Sequence, residues 1–556
     1  MASLDNRGWL YAEEVVKGNI QASEILIAAC KRALDDKKNA EKRGYYYDPE
    51  SANRVIQFFT FLKHIKGTLA GQPLILADWQ VFIVCQLYGW KRKTDNLRRY
   101  RTAYIEVPRK SGKSTLCSGL SLYHLMADKE QGAEVYAAAT TREQARIVFG
   151  DAQQIVKANA EISKFLKVQR SSILMDETGS KFEPLSSDAG TLEGRSPSFS
   201  VVDELHVHKK SDVYDVLNVA SGARAQPMLF AITTAGTNTQ GICYEVRNYA
   251  MSVINNIVED DTFFSAIWSI DETDDWRDPE IWKKANPGYG ISVQPDDLER
   301  MAKQAMESPM AETNFKTKRL NVWCNASQAW ISSIDWENNK IVRPNLEEFK
   351  GMPCYIGLDL ASVSDFASLC LLFAKDGIVY PFLQHYLPED TVYNTSGQLG
   401  AKYRQWVKEG HITVTEGNVT DLSFIQQDIE KHLENFKVHE IAYDPFGALQ
   451  LSTSLLDKGA PMVKVGQSIM SLSDPAKELE KLIKSKQLAH GNDPILKWMI
   501  SNCVIYIDPN DNIKVKKENN ANKIDGVIAL IMALSRLTVN GGIETSVFET
   551  RGIRTL

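Results

Sequence analysis

The stretch Val107-Pro108-Arg109-Lys110-Ser111-Gly112-Lys113-Ser114 constrains this chain more than any other. Taken alone, a glycine-lysine-serine triplet is as readily a surface turn. It gains chemistry where a buried strand enters it and a helix leaves it, because backbone N–H groups and the helix N-terminus then face one anion. Both flanks are present: Thr102-Ala103-Tyr104-Ile105-Glu106-Val107 reads as a buried strand and Thr115 to Ala127 as an apolar helix. The full phosphate-binding pattern is G-x-x-x-x-G-K-[ST], and Val107 stands where its first glycine belongs. The working end is intact. Gly112 lets the backbone approach a phosphate, Lys113 reaches the β- and γ-phosphates, and the Ser114 hydroxyl helps hold Mg²⁺. Arg109, Lys110, Ser111 and Thr115 complete the stretch expected to bind nucleotide.

From about residue 100 to 240, strand-like and helix-like runs alternate, which predicts a mostly parallel sheet. Glu134 to Ala139 reads as the second strand, Phe199-Ser200-Val201-Val202 as the third, and Met228 to Thr233 as the fourth. The third ends in Asp203-Glu204, about ninety residues beyond the phosphate loop. Nucleotide hydrolysis needs an aspartate there to hold Mg²⁺ and a glutamate to polarise the attacking water as general base. Arg195, in the loop before that strand, is a candidate arginine finger, and Arg109 competes for the role. Thr233-Thr234-Ala235-Gly236 ends the next strand, where small hydroxyl residues can sense a γ-phosphate. Gln80, in Leu76-Ala77-Asp78-Trp79-Gln80, can pair with adenine through both edges of its amide, and Trp79 is either its stacking partner or a core aromatic.

Composition excludes several classes. At 556 residues the chain exceeds one hydrophobic core, so two large domains are expected. A formal net charge of −6 rules out a wholly basic nucleic-acid coat. Contact with DNA must come from local patches, either Lys91-Arg92-Lys93 with Arg98, Arg99 and Arg101, or Lys514-Val515-Lys516-Lys517. The eight cysteines form no C-x-x-C pair, which argues against structural zinc and a disulfide framework and fits a reducing cytoplasm. No apolar run is long enough to span a membrane, and no signal-peptide pattern opens the chain, so no membrane contact is expected.

A second α/β domain begins with Cys354-Tyr355-Ile356-Gly357-Leu358-Asp359, a strand ending in a carboxylate. Ala367 to Ala374 and Ile378 to Leu387 follow, joined through Asp376-Gly377, a hairpin signal. Val438 to Asp444 is another strand ending in aspartate, Met462 to Val465 is a fifth, and Asp525 opens an apolar helix running to about Leu537. Asp359, Asp444 and Asp525 would converge at one end of such a sheet. Hard Mg²⁺ or Mn²⁺ prefers that oxygen set, and two ions about 4 Å apart stabilise the attacking and leaving oxygens of phosphodiester hydrolysis. With the hairpin first in strand order, this pattern predicts an RNase H-like nuclease. Asp365 and Lys523 are further candidates beside it.

The joint order of these motifs resembles the large terminase subunit of tailed double-stranded DNA bacteriophages. The resemblance runs from Leu76–Gln80 and Pro108–Ser114 through Gly194-Arg195, Val201-Val202-Asp203-Glu204-Leu205-His206 and Thr233–Gly236. It continues through Gly357-Leu358-Asp359-Leu360-Ala361 and Tyr443-Asp444-Pro445 to Lys523-Ile524-Asp525-Gly526. It implies an ATP-driven motor that pumps viral DNA into the capsid through the portal, and a metal-dependent endonuclease that cuts concatemeric DNA. It further implies a small terminase subunit as partner and a ring, often pentameric, on the portal protein. The expected place is the host cytoplasm, docked transiently on the procapsid and absent from the mature virion. It also implies that Arg195 acts on a neighbour's ATP, and that loss of the first loop glycine is a family trait.

The expected organisation is a helical segment at 1–65, a P-loop ATPase domain at 66–325, a linker at 326–350, a nuclease domain at 351–540 and a tail at 541–556. Three other readings compete: a helicase-type motor whose second domain does not cut, an RNase H-like recombinase with an accessory NTPase, and a capsid docking module without activity. Asp359, Asp444 and Asp525 oppose the first; Lys113, Asp203 and Glu204 oppose the last. A strand-transfer assay separates the recombinase.

Overall fold

A computed structural model describes residues 3–185, 194–208, 210–326, 329–360, 365–446, 448–518 and 522–541. The chain forms two compact units, Met1–Ala305 with Asn314–Cys324, and Met306–Thr313 with Asn325–Leu556.

The first unit opens with helices Asn6–Lys17, Glu24–Asn39 and Pro49–Phe61. The stretch to residue 65 is not helical throughout, because Tyr45–Tyr47 (β1) pairs antiparallel with Trp90–Arg92 (β2). Aromatic side chains favour that half-buried pleat over a helix. The main sheet contains β3 (Thr102–Glu106), β4 (Glu134–Ala138), β5 (Lys167–Val168), β6 (Ile173–Met175), β7 (Ser180–Leu185), β8 (Phe199–Asp203), β9 (Met228–Thr233) and β10 (Phe263–Ile267). Their order is β10-β3-β9-β8-β4-β7-β6-β5. The strands from β10 to β7 run parallel, and β6 and β5 close the edge antiparallel. Strands β5, β6, β7 and β10 add to those the sequence marks: the first two are too short to show alternation, and β10 has no motif to mark it.

Period-two alternation assigns each central strand to two faces. Phe199 and Val201 of β8, and Phe230 and Ile232 of β9, join the cluster containing Leu116 and Leu120 of the helix Lys113–Met126. Val202, Leu229 and Ala231 point to the opposite cluster, with Cys243 and Val246. Such two-sided burial is why these strands read as continuous apolar runs. Of the basic patches, that around Arg98 and Arg99 dissolves. Both are buried, Arg98 against Asp128 and Arg99 against Asp36 at 2.6 Å and Asp261 at 2.5 Å.

The second unit is built on a six-stranded sheet of order β14-β13-β12-β11-β15-β16. Its strands are β11 (Pro353–Asp359), β12 (Ala367–Lys375), β13 (Ile378–Pro388), β14 (Ile412–Thr415), β15 (Lys437–Tyr443) and β16 (Met462–Lys464). The first three are antiparallel; β15 and β16 continue from β11 in parallel. Asp376 at φ 52° and Gly377 at φ 74° both take the left-handed region, as a tight two-residue hairpin turn demands. The helix Asp525–Val539 is apolar almost throughout and lies buried on β11 and β12. Gly357 makes that approach possible: a Cβ there would stand 1.9 Å from Ala529 O. A smaller ribbon joins β17 (Cys503–Ile507) to β18 (Ile513–Lys517), with Ile513 and Val515 turned inward and Lys514 and Lys516 outward. Within 326–350, Trp330, Ile331, Trp336 and Phe349 enter the cores of this unit, so the region expected as a linker carries packed anchors.

Candidate active sites

In the first unit the phosphate loop leaves β3 and caps the helix Lys113–Met126. Val107 is fully buried, and its N–H donates to Thr233 O at 3.0 Å, extending the β3–β9 pairing by one residue. Its φ is negative, so nothing in the backbone requires the missing glycine. The left-handed positions are Lys110 at φ 72° and Gly112 at φ 78°. A glycine suits the second, where the amide of Gln80 also lies, 3.6 Å from the place of an added Cβ. Trp79 is buried edge-on against Trp268 at 5.2 Å, which makes it a core aromatic.

Lys113 is buried, donates to Val107 O at 3.2 Å and stands 3.7 Å from Glu204 Oε1. Burial lowers its pKa against the pull of Glu204 and Asp203. Asp203 ends β8; burial and the neighbouring Glu204 charge push its carboxyl up to about 7. Such a group gains from a bound cation. Burial also raises Glu204, but the hydrogen bond from His206 and the Lys113 charge outweigh it and bring it down to about 2. Arg109 is exposed and its charge also acts on Glu204 and Lys113, so it lies at this centre. Arg195 is engaged elsewhere: it donates to Glu183 at 3.1 Å and stacks over Tyr136 at 5.0 Å. Leu192 and Glu193 of its loop lie outside the described residues.

Sequence reasoning assigned no role to His206, Asn321 or Trp323. His206 Nδ1 lies 3.2 Å from Glu204 Oε2. Asn321 Oδ1 accepts the Ala235 N–H at 2.7 Å, and Trp323 Nε1 donates to the buried Glu106 at 3.3 Å. The last two follow an unpatterned stretch more than two hundred residues beyond the phosphate loop, with nothing local to mark them.

In the second unit, Asp359 ends β11, Asp444 follows β15 and Asp525 opens the helix Asp525–Val539. All three keep partial exposure. Asp359 is raised well above the carboxylate range, by burial first and then by Asp525, Asp444 and Asp365, with Gln467 opposing. Asp525 is raised by burial and by Asp365. Three carboxylates therefore act on Asp359, an arrangement that a hard divalent cation relieves. Among the described residues no three His, Cys, Asp or Glu are gathered tightly enough to form a ready ion shell. Polar neighbours take part of the carboxylates' hydrogen-bonding capacity: Gln467 Nε2 donates to Asp359 at 2.7 Å, and Lys523 Nζ to Asp365 at 2.7 Å. Gln467, past the end of β16, carried no sequence signal. Ala361 lies outside the described residues. Oxygen donors of this kind suit a hard divalent cation.

These centres define a two-activity α/β protein, a P-loop nucleotide hydrolase joined in one chain to an RNase H-like carboxylate nuclease. A family model described as the terminase large subunit, ATPase domain, matches residues 78–252, and one described as the terminase large subunit, endonuclease domain, matches 257–540. Protein YmfN of Escherichia coli (strain K12) is 36% identical over 377 residues, 66% of this chain and 83% of its own. The terminase large subunit of Enterobacteria phage HK97 is 27% identical over 507 residues, covering 88% of this chain and 97% of its own. The crystal structure of the HK97 bacteriophage large terminase aligns over 87% of this chain and 99% of its own, at 26% identity and a TM-score of 0.43. The chain belongs to the terminase large-subunit family and carries its ATPase and endonuclease domains. No helix among the described residues is long and apolar enough to cross a membrane.

Proposed function

We propose that the protein drives viral double-stranded DNA into a procapsid by ATP hydrolysis and cuts the concatemer with its second domain. The observation that carries this is the presence, in one chain, of a centre formed by the buried Lys113 and Asp203 with the half-buried Glu204, and of a second centre where three carboxylates act on Asp359. Gly112, Ser111 and Lys110 present backbone N–H groups to the phosphates, with Thr115 at the helix start. On nucleotide binding Lys113 turns from Val107 O and Glu204 to the β- and γ-phosphates. Ser114 and Asp203 hold the Mg²⁺ of ATP, Gln80 reads the base, and Glu204 takes the proton of the attacking water. Arg195, already held at a partly exposed place by Glu183 and Tyr136, serves the ATP of an adjacent copy in a ring, and Arg109 stabilises charge within its own site.

At the nuclease centre Asp359, Asp444 and Asp525 hold divalent metal. When bound, the metal supplies an activated water and neutralises charge on the scissile phosphate. Lys523 lies where it can exchange Asp365 for a DNA phosphate. The partners are double-stranded DNA, a small terminase subunit, the portal protein and further copies of this chain in a ring. The work is done in the host cytoplasm on the procapsid, and the protein is absent from the finished virion.

The test separates the activities. Glu204→Gln should bind but not turn over ATP while still nicking plasmid with Mn²⁺, and Asp444→Asn should do the reverse. Nicking that survives Asp444→Asn and Asp359→Asn would return the second domain to a binding role, and strand joining would favour a recombinase.

A further inference from the structure

One side chain beside the hydrolytic centre has no task in this scheme. The His206 backbone N–H donates to Thr233 Oγ1 at 3.0 Å. Its ring Nδ1 lies 3.1 Å from that oxygen, 3.2 Å from Glu204 Oε2 and 3.5 Å from Thr234 Oγ1. Proton accounting fixes the direction of these bonds. An ionised carboxylate only accepts, and a hydroxyl has one proton. The Thr233 proton goes to Thr234 O at 3.0 Å, so Thr233 Oγ1 accepts from the ring. Nδ1 therefore carries the imidazole proton and shares it between Thr233 and Glu204. Thr234 Oγ1 donates to the same Glu204 oxygen at 3.4 Å, while Oε1 faces Lys113.

We infer that His206 is a positioning residue for ATP hydrolysis: its Nδ1–H pins Oε2 of Glu204, leaving Oε1 for the attacking water, and ties that carboxylate to the Thr233-Thr234 strand end. The inference rests on Glu204 as the base. Glu204 is a non-glycine residue at φ 49°, a conformation that persists only with outside support. Once Lys113 moves to phosphate, Oε1 is released and Oε2 stays held. The strand end is itself clamped. Asn321, fully buried at φ 59°, accepts the Ala235 N–H at 2.7 Å and donates to Trp268 O at 2.8 Å. Gly236 gives His206 its space, for an added Cβ would lie 3.2 Å from both Cβ and Cδ2 of the histidine. A shift at the γ-phosphate end of β9 thus reaches the base through the imidazole.

The experiment compares His206→Ala, His206→Asn and Glu204→Gln in the full chain, by steady-state ATP hydrolysis, binding of a fluorescent ATP analogue and plasmid nicking as a folding control. An asparagine amide nitrogen can occupy the place of Nδ1; alanine leaves no donor. His206→Ala should lower kcat about 10- to 100-fold, the scale of one charge-assisted hydrogen bond, with KM changed by less than about twofold. His206→Asn should recover most of kcat. Wild-type kcat in His206→Ala beside an inactive Glu204→Gln would overturn the inference alone. So would an asparagine variant no better than alanine although both bind nucleotide. An active Glu204→Gln would remove the base beneath it, and with it the inference.

Discussion

Replacing Gly357 by alanine tests how the nuclease carboxylates are held in register. Gly357 sits in β11 two residues before Asp359, against the helix that Asp525 begins. The added methyl would stand 1.9 Å from Ala529 O and 2.7 Å from Ala533 N. Both are backbone atoms of a buried helix, so no side-chain rotation relieves the clash. An ordinary carbon–oxygen contact is about 3.3 Å, so the helix must retreat by more than about 1 Å at Ala529. Ala529 is one helical turn from Asp525, and the carboxylate moves with it. Overpacking of this kind costs about 1–3 kcal/mol in stability, and a displacement of about 1 Å at a reacting centre costs about 10²-fold in rate. Gly357→Ala should therefore lose plasmid nicking by about two orders of magnitude and shift the denaturation midpoint of the second unit, while ATP hydrolysis persists. Nicking near the wild-type rate with an unchanged midpoint would refute the claim that this contact sets the Asp359–Asp525 register.

Two further outcomes follow from the first unit. Arg195→Ala should leave ATP turnover of isolated chains near wild type and abolish the stimulation that appears on ring assembly, up to about 10³-fold, whereas Arg109→Ala should already depress the isolated chain; rates measured across protein concentration decide between them. Val107→Gly would restore the missing glycine but remove a fully buried side chain, so thermal or chemical denaturation should show a loss of about 1.5–3 kcal/mol with no gain in ATP affinity; tighter nucleotide binding would show that the valine impairs the loop.

The parts legible in the sequence were those whose structure is set by neighbours along the chain. Strands β3, β8, β9 and β11 are long apolar runs that end in polar residues, and the Asp376-Gly377 turn is fixed by two left-handed positions. Lys113, Asp203, Glu204, Asp359, Asp444 and Asp525 could be read because each ends or opens such an element. What escaped is set by long-range contact. Asn321 and Trp323 act on strand ends remote in sequence, Gln467 meets Asp359 across 108 positions, and Arg98 and Arg99 look like a surface patch until their aspartate partners are known. Val107 shows the converse: the motif calls for glycine there, while its full burial and ordinary backbone conformation suit valine.

The interleaving of the two units has a consequence for how such a protein can be divided. Residues 306–313 belong to the second unit, and 314–324 return to the first. The returning stretch supplies the Lys318 carbonyl that accepts the Arg109 N–H at 2.9 Å, along with Asn321 and Trp323. No single peptide bond therefore parts the two activities cleanly. A fragment ending at Ala305 forfeits the brace of its own phosphate loop, and one ending after Cys324 carries eight residues away from the nuclease, Glu312 with its hydrogen bond to Ser333 among them. Gene rearrangement, like a protease, would find it hard to part the motor from the scissors and leave both whole.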